Sequence, residues 1–134
     1  MKLGKIKKKT PDPEEGKALL NQAQDRLDYI RGKDTNAKTA KFVFEDAYES
    51  IREAAQSLMS AKGFKPYSHE AIISFIKEFY KSEFSEEETY KFDYFRKLRN
   101  NSMYRAVPVS KEDVKESLIL AEKFVKKIEK LLKG

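Results

Sequence analysis

A chain of 134 residues has the size of one ordinary domain, and 37% charged and 40% hydrophobic residues with only five Gly and four Pro favour helices over a turn-rich β fold. Cysteine is absent, which excludes a disulfide framework, a thiolate metal site and a cysteine nucleophile. The formal charge of +6 gathers at the start: Lys2, Lys5, Lys7, Lys8 and Lys9 precede every acid, and residues 10–134 hold 23 basic against 22 acidic side chains, or +1.

The first nine residues lack the apolar run of a signal peptide, and no stretch reaches the roughly 18 apolar residues of a membrane span. The expectation is a cytoplasmic protein without membrane contact, with residues 1–10 a flexible basic tail and residues 11–134 a helical body. A lysine-rich tail is ordinarily solvated or attracts phosphates through bulk charge.

The first helix opens at Asp12-Pro13-Glu14-Glu15, where Asp12 caps, Pro13 takes the first helical position and Glu15 reaches back to the cap. Leu20, Ala23, Leu27 and Ile30 form its apolar stripe, and Gly32 ends it. A second helix runs from near Asn36 to Gly63, with Phe44, Tyr48, Ile51, Ala55 and Leu58 at steps of four and three. Its 26 or so positions span about 39 Å. Glu45, Asp46 and Glu49 crowd one side of it and read as a solvated face. Phe64-Lys65-Pro66-Tyr67 makes a turn, because Pro66 lacks a donor and biases its predecessor toward extended geometry.

Ser68 caps a third helix with Ile72, Phe75, Ile76, Phe79 and Tyr80 on its apolar face, and His69 one residue after the cap reads as structural. Ser85 to Glu88 is a capping box that opens a fourth helix, expected to fade near Ser102. Val107-Pro108-Val109 breaks the chain, and Ser110 to Asp113 starts a fifth helix with Val114, Leu118, Ala121, Val125, Ile128 and Leu132 at helical steps. No segment has the alternation of a strand. Short connections between amphipathic helices imply an all-α, up-and-down bundle of four to five helices. Phe92, Tyr104 and other aromatics exceed what one small core uses, which points to a homodimer.

From Arg96 to Arg105 the chain reads Arg-Lys-Leu-Arg-Asn-Asn-Ser-Met-Tyr-Arg, with Arg96, Lys97, Arg99 and Arg105 and no acid. One account is that these cations complement the helix dipole. The other is phosphate binding, since guanidinium forks match phosphate oxygens and Asn100, Asn101 and Ser102 are poor helix formers beside them. No His-Glu-x-x-His spacing, calcium loop, Gly-rich phosphate loop or Gly-x-Ser-x-Gly elbow is present, and neither a cofactor nor a metal is expected.

Two stretches, Ala61-Lys62-Gly63-Phe64-Lys65-Pro66-Tyr67-Ser68-His69-Glu70 and Leu98-Arg99-Asn100-Asn101-Ser102-Met103-Tyr104, resemble the HEPN family over most of residues 12–132. The resemblance implies a helical bundle, often paired with a minimal nucleotidyltransferase in toxin–antitoxin systems, and in active members a metal-independent ribonuclease. The family's motif is Arg, a polar residue, several variable positions and His. Arg99 and Asn100 match it, while Tyr104 stands in the place of the His. Free Tyr has a pKa of about 10 against about 6.5 for His, so Tyr104 is a poor general base at neutral pH.

Three readings follow. The first is a module that binds RNA or a nucleotide through Arg96, Lys97, Arg99 and Arg105, with weak or no catalysis. The second is a ribonuclease using Arg99, Asn100 and Tyr104. The third is a structural helical dimer without a ligand.

Overall fold

Helix α1 (Pro13–Arg31) begins as the sequence predicts: the Asp12 carboxylate accepts the Glu15 backbone N–H at 2.9 Å, and Pro13 occupies the first position. The structure, a computed structural model, describes residues 6–133. The Glu15 side chain does not turn back to the cap. It takes the Lys9 ammonium at 3.1 Å instead.

Helix α2 (Ala40–Lys62) starts four residues later than Asn36. The Asn36 side chain accepts the N–H groups of Lys38 and Thr39, and this local turn wins over helix in the way short polar side chains allow. Gly63, at φ 90°, ends the helix in the left-handed region that glycine enters at no steric cost. Helix α3 (His69–Phe79) is capped by Ser68, and α4 (Glu86–Arg105) opens on a complete Ser85–Glu88 capping box. In α5 (Lys111–Lys133) Ser110 and Asp113 cap one another reciprocally.

The other four helices pack around α2, which touches each of them, while α1 lies against α5 and α3 against α4. Phe44, Tyr48, Ile51, Ala55 and Leu58 of α2 are fully buried, as their spacing predicts. They meet Leu20, Ala23, Leu27 and Ile30 of α1 and the Val114, Ala121, Val125 and Ile128 stripe of α5 in one core. Phe92 corrects an expectation: it is wholly buried, edge-on to Tyr48 and to Phe124, and is not a spare surface aromatic. Among the described residues no helix is long and apolar enough to cross a membrane.

Two further departures concern the ends of α2 and α4. Among the described residues there are two three-residue strands, β1 (Ile6–Lys8) and β2 (Phe64–Pro66), paired antiparallel with Lys7 opposite Lys65. The extended geometry that Pro66 imposes on Lys65 supplies one edge, and burial of Ile6 fixes the other. The chain is then tied down by Lys9 N–H to the Gly63 carbonyl and Asp12 N–H to that of Ser60. Lys7 to Lys9, expected in a flexible tail, are thus part of the ordered body. Likewise α4 does not fade at Ser102 but continues to Arg105 and closes on Ala106 at φ 55°, with the Asn101 carbonyl accepting from both Ala106 and Val107.

Candidate functional site

Arg99 projects from α4 toward α2 and is mostly buried. Its Nε lies 3.4 Å from Glu45 Oε1, and a terminal nitrogen lies 3.8 Å from Glu49 Oε1. Neither approach has hydrogen-bond geometry, and both Arg99 Nε and Glu49 Oε1 are buried without a hydrogen-bond partner. The other oxygen of Glu49 is held by Arg52 through two nitrogens, at 2.9 and 2.6 Å, and Arg52 also reaches Gln56 at 2.7 Å. Glu45, Glu49, Arg52 and Gln56 follow one another at steps of four, three and four, so one face of α2 carries the whole row. Glu45 and Glu49 therefore do not form the solvated face expected of them. Asp46 turns the other way, to Arg26 at 2.9 Å.

His69 enters this cluster from the first turn of α3. Its Nδ1 lies 2.9 Å from the Tyr48 hydroxyl, and the two rings pack at 5.8 Å. Burial lowers the pKa of His69 below its usual value, and the positive charges of Arg52, Arg99 and Arg96 lower it further against the opposing pull of Glu49. The imidazole is therefore neutral at pH 7. Burial and the neighbouring Glu49 raise the Tyr48 phenol far above the ordinary tyrosine range, so it remains a hydrogen-bonding hydroxyl. Sequence spacing gave no sign that His69 joins Arg99, because residues 30 apart are brought together only by the packing of α3 and α4 on α2.

The remaining cations of the basic run are divided among different surroundings. Arg96 and Lys97 share Asp93, one turn upstream, at 2.9 and 3.2 Å. Burial presses the Asp93 carboxyl upward, but these two cations outweigh it and hold its pKa below the usual range. Arg96, Lys97 and Asp93 also line a groove of about 670 Å³ between α3 and α4, together with Lys77 and the exposed Tyr90. Arg105 is exposed and makes no ion pair among the described residues. The absence of acids within residues 96–105 thus does not carry over into space, where Asp93, Glu45 and Glu49 meet three of the four cations.

Asn100 is half-buried and Tyr104 is 75% exposed. Since α4 stays helical through this segment, five residues turn Tyr104 about 140° around the axis from Arg99. Within one chain the two ends of the motif face different surroundings: Arg99 faces α2, and Tyr104 faces solvent. His69 is the imidazole that shares Arg99's side.

Compared with known proteins, the chain matches the HEPN domain family over residues 17–131. No curated protein matches it. The matched span covers most of α1, all of α2 to α4 with the Arg99 cluster, and α5 up to Leu131, and leaves β1 outside.

Proposed function

Because the chain belongs to the HEPN domain family, we propose that it is an RNA- or nucleotide-binding module whose phosphate-binding group is Arg99, with little or no catalysis of its own. The observation that carries this reading is the buried Arg99 Nε, which has two carboxylates near its guanidinium but no hydrogen bond, beside a Glu49 oxygen that is equally unmet. A buried donor left without a hydrogen bond costs about 1–3 kcal/mol, and a phosphate oxygen arriving at Arg99 Nε would supply that bond. Arg52 and Arg96 stand nearby, held by Glu49 and Asp93, and the groove beside Arg96, lined by both acids and bases, offers the aromatic face of Tyr90 to a nucleotide.

Weak catalysis follows from the two positions of the motif. Tyr104 is a poor proton acceptor and points away from Arg99, so it does not assist a 2′-hydroxyl attacking a phosphate held there. The ribonuclease reading is kept by one observation, the neutral His69 next to the arginines.

Fluorescence anisotropy with labelled single-stranded RNA and with a labelled adenine nucleotide tests the proposal. Arg99→Ala is expected to weaken binding about 10-fold or more, with Arg99→Lys intermediate because a single ammonium cannot reproduce the fork. Wild-type protein is expected to leave the RNA uncut in EDTA over hours. Binding unchanged in Arg99→Ala overturns the assignment of Arg99. Rapid cutting in EDTA that His69→Gln abolishes and Tyr104→Phe spares makes the protein a ribonuclease with His69 as its base.

A further inference from the structure

The β1–β2 ribbon has a feature that folding alone does not favour. Lys7 and Lys65 are direct cross-strand partners, so both side chains leave the same face of the ribbon, with Cβ atoms about 5 Å apart. Both are exposed, and neither forms an ion pair among the described residues. Like charges placed directly opposite destabilise a strand pair, and a ribbon of three residues per strand is marginal to begin with. The opposite face explains why the ribbon nevertheless forms: Ile6 is buried, and Phe64 packs on Phe75 and Phe79. The two ammonium groups are held close together by contacts made behind them and are left without a counter-charge.

The ribbon is also continuous with the Arg99 cluster. Lys65 and Pro66 line a groove of about 200 Å³ with Gln56, Ser60 and Lys9. Gln56 accepts from Arg52, Arg52 holds Glu49, and Glu49 lies beside Arg99, so one face of α2 joins the ribbon to the proposed phosphate site. On the other side, Lys65 is four residues from His69, at most about 14 Å of chain, with the exposed Tyr67 between them.

From this geometry we infer that the β1–β2 ribbon is a second anchor for single-stranded RNA, with Lys7 and Lys65 clamping one backbone phosphate while another phosphate, more than one nucleotide along the strand, sits at Arg99. The inference rests on the RNA-binding reading. A phosphate between the two lysines would convert their repulsion into two charge-assisted contacts, and Tyr67 presents a ring on which the adjoining base stacks. The track has a direction, from β1 along α2 to α4, and β1 lies outside the span shared with the family. The ribbon would therefore extend the footprint beyond what a bundle without this strand binds.

The test is anisotropy of a labelled single-stranded RNA across a salt series, with the double variant Lys7→Gln/Lys65→Gln, with Arg99→Ala, and with Lys17→Gln/Lys130→Gln as an equal charge change at exposed positions on α1 and α5. The ribbon variant is expected to bind at least several-fold more weakly, and the slope of log affinity against log salt is expected to shrink by about 0.7, the contribution of the one single-strand phosphate that the two lysines share. The melting temperature of the RNA-free protein is expected to stay level or rise, because a repulsion has been removed. A merely structural role for the lysines would lower it. If wild-type binds, Arg99→Ala does not, and the ribbon variant matches wild-type in affinity and slope, the ribbon inference falls while the Arg99 reading stands. If the α1/α5 variant loses as much as the ribbon variant, bulk charge is responsible and the inference is overturned. A wild-type protein that binds the adenine nucleotide but not RNA overturns the ribbon inference alone, and one that binds neither overturns both.

Discussion

The charged residues of this chain show how little a local run says about a local surface. Arg96, Lys97, Arg99 and Arg105 are close in sequence without an intervening acid, yet Asp93 engages the first two and Glu45 and Glu49 approach the third. The first of these pairings was open to reading from the sequence, because i,i+3 and i,i+4 neighbours meet on any helix. The approach of α2 to Arg99 was not, since it depends on how two helices pack. His69 illustrates the same limit. Its place after the Ser68 cap was legible, and its contact with Tyr48 was not. That contact has a consequence for stability. The folded-state pKa of His69 lies below its unfolded value, so folding favours the neutral ring, and protonation favours the unfolded chain. The contribution is fully present above the unfolded pKa of about 6.5 and is lost as pH falls from there through the lower folded-state value. The melting temperature of wild-type protein is therefore expected to drop between pH 7.5 and 5.5, and that of His69→Gln to drop less over the same interval. Carboxylate titration affects both proteins alike and cancels in the difference. Parallel curves would show that His69 does not carry the effect.

At the scale of elements, the sequence disclosed what short-range chemistry determines. Asp12, Ser68 and Ser85 cap the helices they were expected to cap, and the apolar stripes of α1, α2 and α5 are the buried ones. The ribbon stayed hidden because strands of three residues are too short to show alternation, and because β1 is defined by a partner nearly 60 residues away. The end of α4 was misjudged for a different reason. Asn100, Asn101 and Ser102 are poor helix formers, but Phe95 and Leu98 pack the preceding turn against the core, and tertiary packing outweighs propensities of a few tenths of a kcal/mol per residue. The helix then stops one residue after Arg105, where Ala106 adopts φ 55°. A Cβ in the left-handed region costs roughly 1 kcal/mol, which glycine avoids. Ala106→Gly is thus expected to stabilise the protein by about 0.5–1 kcal/mol, a rise of a few degrees in melting temperature, and Ala106→Val to destabilise it. If Ala106→Gly melts below wild-type, the unfolded-chain entropy gained by glycine exceeds the strain relieved.

At the scale of the molecule, the question is what covers the aromatic surface of α4 and α5. Phe92 is part of the monomer core, but Tyr90, Tyr94, Met103, Tyr104, Val107 and Ile119 remain exposed on α4, the following loop and α5. Several large apolar side chains exposed on one small chain are often covered by association, and an interface between identical surfaces on a two-fold axis is the commonest way to do so. We therefore expect a homodimer in solution, with light scattering giving about twice the 15.6 kDa chain mass and an interface of about 1,600 Å² in total. Met103→Lys/Ile119→Lys is expected to give monomers with unchanged helical circular dichroism, because both side chains are already solvent-exposed in the single chain. Burying two ammonium groups from each copy in an apolar interface costs several kcal/mol, more than a standard interface of moderate affinity withstands. A wild-type protein that is strictly monomeric at tens of micromolar ends the dimer expectation, and a charged variant that stays dimeric moves the interface to another face.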